Sequence, residues 1–106
     1  MDEKEEKEKE QEGKYVIVRT YSAGVFAGEF VKRKGKEVEL HNARRLWYWS
    51  GAASLSQLAM EGTSNQKNCK FPIAVDCVEL LDAIEILSVT DKARTSIEGV
   101  PVWSSN

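Results

Sequence analysis

The sequence predicts an α+β fold, a small antiparallel strand-rich barrel with one inserted helix and a short C-terminal helix. Three observations carry that expectation. Short runs of β-branched and aromatic residues follow one another with tight turns between them, which favours an antiparallel meander. Gly28 falls inside the second run, where a small barrel needs a bend or bulge to curl. Two later stretches carry helical spacing with capping residues at their ends.

Residues 1–13 open the chain as a Glu/Lys segment, with seven acids against three lysines over 1–12. Such a stretch has no apolar surface to bury, so it reads as a disordered acidic tail or a frayed solvated helix. A single folded domain is expected over 14–106. Residues 15–20 (Tyr-Val-Ile-Val-Arg-Thr) are β-branched and aromatic apart from Arg19 and read as a strand. Ser22-Ala23-Gly24 is a turn, and 25–32 is a second strand bent at Gly28. Arg33-Lys34-Gly35-Lys36 makes a tight turn into 37–41, whose charged and apolar residues alternate as in a half-exposed hairpin partner. Asn42-Ala43 is expected to break that strand. Residues 45–49 read as a separate one, with Arg45, Trp47 and Trp49 on one face and Arg44, Leu46 and Tyr48 on the other.

Residues 52–60 read as a helix. Leu55, Leu58 and Ala59 share one face, and Gly62 stands at the C-cap. A polar loop covers 63–70. Short strands are expected over 71–75 and 77–80, with a stronger one over 83–87. Thr90-Asp91 caps a short helix running through Glu98 and stopped by Gly99. Val100-Pro101-Val102-Trp103 is an extended tail that docks on the domain or on a neighbour.

Composition bounds the function. A chain of 106 residues is one domain with a modest core, which oligomerisation would help to stabilise. The net charge of −2 joins the acidic tail to a mildly basic remainder, well short of the basic face of a duplex-DNA binder. No apolar run approaches the ~18 residues of a membrane span. The charged N-terminus has no apolar h-region of a secretory signal, so the cytoplasm is the expected compartment. There Cys69 and Cys77 are expected to be reduced and to behave as small apolar residues. With one histidine, His41, no zinc-ligand spacing exists, so no metal and no cofactor are expected.

Two family resemblances attach to these residues. Residues 24–31 (Gly-Val-Phe-Ala-Gly-Glu-Phe-Val) and 35–43 (Gly-Lys-Glu-Val-Glu-Leu-His-Asn-Ala) resemble the Sm-like small-barrel pattern, with 83–86 as a later barrel strand. That resemblance implies an SH3/Sm-like topology. The insertion from Trp47 to Lys70 departs from Sm proteins, so none of their RNA-binding residues carries over. The segments 15–25, 43–62, 70–72 and 83–86 resemble a family of small tailed-phage and prophage proteins of undefined function. This second resemblance covers nearly everything after Lys14. It implies phage origin and action in the host cell cytoplasm, and assigns no activity.

The chemically densest stretch is Arg44-Arg45-Leu46-Trp47-Tyr48-Trp49-Ser50, followed by Ser54, Ser56 and Gln57. Arginine forks recognise phosphate or carboxylate, or form surface ion pairs. Indoles stack on bases or pack into a core. Hydroxyls at a helix start receive an anion or simply cap the helix. Arg44, Arg45, Trp47, Trp49, Ser50, Ser54 and Gln57 are therefore the candidate ligand-binding set. No Gly-x-Ser-x-Gly elbow and no His-x-x-x-His pair is present, so no catalytic residue is assigned. Lys32, Arg33, Lys34 and Lys36 form a basic tip suited only to weak, salt-sensitive nucleic-acid contact.

Small phage proteins without catalytic motifs commonly act on the host. The expectation is a non-enzymatic homo-oligomer, with no role in a membrane, that sequesters a nucleotide-type immune signal. The alternatives are a protein–protein inhibitor of a host defence enzyme and an Sm-like nucleic-acid binder.

Overall fold

A computed structural model of the chain describes residues 12–105. The expected acidic tail, apart from Glu12 and Gly13, lies outside the described residues. Five antiparallel strands form one sheet: β1 (Tyr15–Thr20), β2 (Val25–Lys34), β3 (Glu37–Arg45), β4 (Val75–Leu80) and β5 (Ala83–Ser88), in the order β4-β3-β2-β1-β5. Helix α1 (Leu55–Glu61) follows β3, and α2 (Asp91–Glu98) follows β5. A 3-10 turn, Gln66–Asn68, interrupts the loop after α1. The α+β class and both helices stand as the sequence implied.

The sheet curls without closing. Only Leu81 and Asp82 join β4 at one edge to β5 at the other. Three Cα steps reach about 11 Å at most, whereas the edges of a flat five-stranded sheet stand about 19 Å apart. The edges therefore approach each other at that end. Elsewhere β4 follows β3, with Val75 opposite Ala43, and β5 follows β1, with Ser88 opposite Val16. The edge strands do not pair with one another, so the expected closed barrel is corrected to an open curled sheet.

Two cores result. The inner one is made only from strands: Val16, Val18, Phe26, Phe30, Val38, Leu40, Ala43 and Leu80. The outer one lies between the sheet and the helical layer, and gathers Tyr15, Ile17, Ala27, Leu46, Leu58, Phe71 and Ile97. Strand β1 contributes to both, so its residues 15–18 are all buried. Its near-continuous apolar run has that physical cause.

Three local expectations change. Asn42 and Ala43 do not break the third strand, which continues to Arg45. Both stand opposite Gly28, since Ala27 pairs with Arg44 and Glu29 with His41. Asn42 takes the extra position with φ 49°, a conformation asparagine tolerates better than most residues. Gly28 is required opposite it, because a Cβ there would lie 2.9 Å from the Ala43 Cα. The separate strand over 45–49 is absent: beyond Arg45 only an isolated bridge, Tyr48 to Lys70, remains. Likewise the strand over 71–75 reduces to a bridge between Phe71 and Val102. The tail thus docks on its own domain.

Helix ends follow their caps. Ser54 accepts from the Gln57 N–H and Gly62 ends α1; Thr90 accepts from the Ala93 N–H and Gly99 ends α2. The two helices are tied together at Ser96, whose hydroxyl accepts from the Thr63 N–H at 3.0 Å and donates to the Thr63 carbonyl at 3.1 Å.

Tyr15 sits under the Arg94 guanidinium, 4.8 Å from the ring centroid. Burial, with help from the Glu98 charge, pushes its phenol up from 10.0 to about 12, against the opposing pull of Arg94 and Arg44. The fold therefore favours the neutral phenol. The associated stability is complete below the ordinary value and is lost as pH rises through about 12. Urea unfolding across that alkaline range should show Tyr15→Phe losing less stability than the native chain, by up to about 2 kcal/mol. Equal slopes would contradict this account of Tyr15.

Candidate functional site

The bulge at Asn42 sets which arginine faces which side. Before it, Val38 and Leu40 point to the inner core, and Glu39 and His41 point the other way. After it, Ala43 points inward, Arg44 and Leu46 enter the outer side, and Arg45 emerges beside Phe26. A one-residue slip exchanges the faces of every later side chain.

Arg44 is buried beneath the helical layer and 6% exposed. Its Nε donates to the Pro72 carbonyl at 3.1 Å, Nη1 to that of Ile97 at 3.0 Å and Nη2 to that of Phe71 at 3.0 Å. The guanidinium also lies 5.5 Å from the Phe71 ring centroid. Desolvation pulls its pKa below the ordinary arginine value, while Tyr15 and Cys69 favour the charge. Arg44 thus binds the chain's own carbonyls, and the structure does not bring it to Arg45. It is not a surface ion pair, and it also borders a hollow of about 270 Å³ with Tyr15, Asn42 and Glu98.

Arg45 has the opposite environment. Its guanidinium lies over the Phe26 ring at 4.3 Å, and Nη1 donates to the Ala23 carbonyl at 2.5 Å. Of the five N–H groups of an arginine, four have no protein partner here among the described residues. Beside it, the Ser22-Ala23-Gly24 turn, Val25, Leu46, Trp47 and Trp49 enclose an open hollow of about 360 Å³. Trp47 is 64% exposed, whereas Trp49 is half-buried against the outer core. Arg45, Trp47 and Trp49 line one hollow, although the strand whose alternation was expected to align them ends at Arg45. The Ser22 to Gly24 turn across from them was legible only as a turn.

The hydroxyl-rich segment does not join this hollow. The Ser50 carbonyl accepts from the Thr63 hydroxyl, and its Oγ accepts from the Asn65 amide at 3.2 Å. Ser54 caps α1. The Gln57 side chain accepts from the Ala53 N–H at 2.7 Å and donates to Glu61 at 3.2 Å. These groups fix the loop between β3 and α1.

Two further features lie outside the predicted set. Lys70 Nζ stands 5.8 Å from the Tyr48 ring centroid and 5.6 Å from that of Trp103, and both aromatics are about half exposed. On the outer face of β3 and β4, His41 Nε2 lies 3.0 Å from Glu39 Oε2, and Cys77 stands directly opposite His41. Cys77 is exposed, which corrects the expectation of a small, partly buried apolar residue there; Cys69 is buried. Lys32 at the basic tip reaches Glu39 at 3.8 Å, so glutamates interleave that tip.

The fold and the trio belong to a defined class of domain. The chain is a member of the DUF6948 family, described as a domain of unknown function, whose profile matches residues 13–97. No curated protein and no solved structure matches it. The match includes the Arg45 hollow and the His41–Cys77 pair, and ends before Trp103. Among the described residues no helix is long and apolar enough to cross a membrane.

The two arginines should separate cleanly by mutation. Arg44→Ala strands two buried carbonyls and one part-buried carbonyl, and is expected to cost about 3 kcal/mol in denaturant unfolding. Arg45→Ala removes one exposed contact and one ring stack, with an expected cost under about 1 kcal/mol. Equal losses would contradict the assignment of Arg44 as the structural clip.

Proposed function

We propose that the chain is a non-catalytic binding protein that captures a planar, anionic ligand of the nucleotide class. The supporting observation is the hollow of about 360 Å³ lined together by the largely unpartnered Arg45 guanidinium, the exposed Trp47 and the half-buried Trp49. Its size falls in the range of small-molecule sites. A guanidinium supplies forked donors to a phosphate, and an indole supplies a stacking face for a base. No general base lines it: its only titratable side chain is Arg45, which suits binding and not turnover. In the phage setting implied by the resemblance, the captured ligand is a host nucleotide-type alarm signal, and the chain acts as its sponge in the host cytoplasm. The open curled sheet, with its β4-β3-β2-β1-β5 order, supports reading the scaffold as an SH3/Sm-like small barrel left unclosed.

Isothermal titration against cyclic oligonucleotides and ADP-ribose derivatives tests this reading. Heat with at least one of them is expected. Trp47→Ala should then weaken binding by roughly ten- to a hundredfold, the value of one base stack, and Arg45→Ala should weaken it similarly. Absence of heat with every compound removes the reading.

A second reading, a protein-facing surface, is favoured by the Tyr48–Lys70–Trp103 stack. Half-exposed aromatics around a cation resemble the anchors of protein interfaces. It serves either a second copy of the chain or a host defence protein. Native mass spectrometry should show an oligomer that Trp103→Ala converts to monomer if copies meet there. An unchanged subunit number excludes self-association through this patch.

A further inference from the structure

The outer face of the β3–β4 pair carries a set of side chains that strand pairing alone would disfavour. Glu39 stands directly opposite Glu79, and His41 directly opposite Cys77. All four lie on one face, since Val38, Leu40, Val78 and Leu80 point to the inner core. Like charges directly opposite each other on neighbouring strands destabilise a sheet. The single Lys32 contact at 3.8 Å reaches only Glu39.

Coordinating atoms converge in the same place. One carboxylate oxygen of Glu39, one ring nitrogen of His41 and the Cys77 sulfur all lie within 4.8 Å of one another. Ligands around a tetrahedral zinc ion stand at about 2.0–2.3 Å from the metal. Their mutual spacing is therefore a little over 3 Å, which His41 Nε2 and Glu39 Oε2 already meet at 3.0 Å. The exposed Cys77 sulfur lies no more than 4.8 Å from either atom.

We propose that Glu39, His41 and Cys77 form a binding site for a divalent transition metal of the zinc class, with Glu79 or water in the fourth position. One imidazole, one thiolate and one or two carboxylates are a ligand set of mixed softness, suited to zinc or cobalt and poorly suited to magnesium or calcium. The cation offsets the facing glutamates. Binding displaces the Cys77 thiol proton to solvent, and His41 coordinates through Nε2 with its remaining proton on Nδ1.

The site is independent of the Arg45 hollow, so either can fail alone.

Cobalt(II) titration of the full chain, freed of metal and kept reduced, reads the site directly. One ion per chain is expected, with a thiolate-to-cobalt charge-transfer band, tetrahedral visible bands and displacement by zinc. Cys77→Ser should abolish the charge-transfer band. His41→Ala should weaken binding at least about tenfold, the loss that removal of even an outer partner brings. Cys69→Ser and Arg45→Ala should leave the spectrum unchanged, and circular dichroism should be the same for Cys77→Ser and the native chain. Absence of the band, its survival in Cys77→Ser, or its loss in Cys69→Ser overturns the proposal.

Discussion

The arrangement of both faces depends on one backbone constraint, the extra residue that β3 carries opposite Gly28. It is written into three neighbouring side chains. Asn42 accepts the left-handed conformation at φ 49°, and its amide donates to Glu29 at 2.9 Å. Ala43 is small enough to lie against the second strand, and Gly28 leaves room for it. Because side chains alternate with a period of two, this single insertion decides that Arg44 goes under the helices and Arg45 goes to solvent. A regular pairing would have sent Arg44 among the inner-core residues, where no carbonyls wait for its five donors.

Once Arg44 is on the outer side, it supplies what the helical layer lacks. Helix α1 has two turns and α2 slightly more, too short to be stable alone. Apolar burial at Leu58, Ala59 and Ile97 draws them to the sheet without fixing their orientation. Three directional bonds from one planar group fix the Phe71-Pro72 segment and the end of α2 relative to β3. The two-sided burial of β1 is the consequence: its outer residues have a helical layer to pack against, and its inner residues have the curl of the sheet. The chain thus hides both faces of β1 from Tyr15 to Val18.

Much of this was legible in the sequence because the signals are local. Tyr15 to Thr20, the caps at Ser54, Gly62, Thr90 and Gly99, and the opposite facing of Arg44 and Arg45 follow from period and capping chemistry. Asn42-Ala43 was legible as an irregularity but misread as an ending, because a bulge and a break carry the same residue types until the partner strand is known. The open edge of the sheet was hidden for a related reason, since closure depends on how far β4 and β5 diverge after Asp82. Ser50 was near the trio in sequence, yet its partners, Thr63 and Asn65, are reached through loop geometry that spacing does not reveal.

Cys77 is the sharpest case. The alternation of Glu39, Leu40 and His41 already placed an acid and an imidazole on one face, at i and i+2. What was missing was the register of a strand 36 positions away, which sets Cys77 rather than Asp76 or Val78 beside His41. The bulge then keeps this cluster apart from the Arg45 hollow. His41 precedes the insertion and points with the outer face; Arg45 follows it and lies over Phe26 of the inner core. A single strand therefore presents two chemically unlike groups, the Glu39–His41 pair beside Cys77 and the Arg45 guanidinium over Phe26, to opposite sides of one sheet. Their separation follows from the backbone, so a ligand at one does not compete for side chains with a ligand at the other.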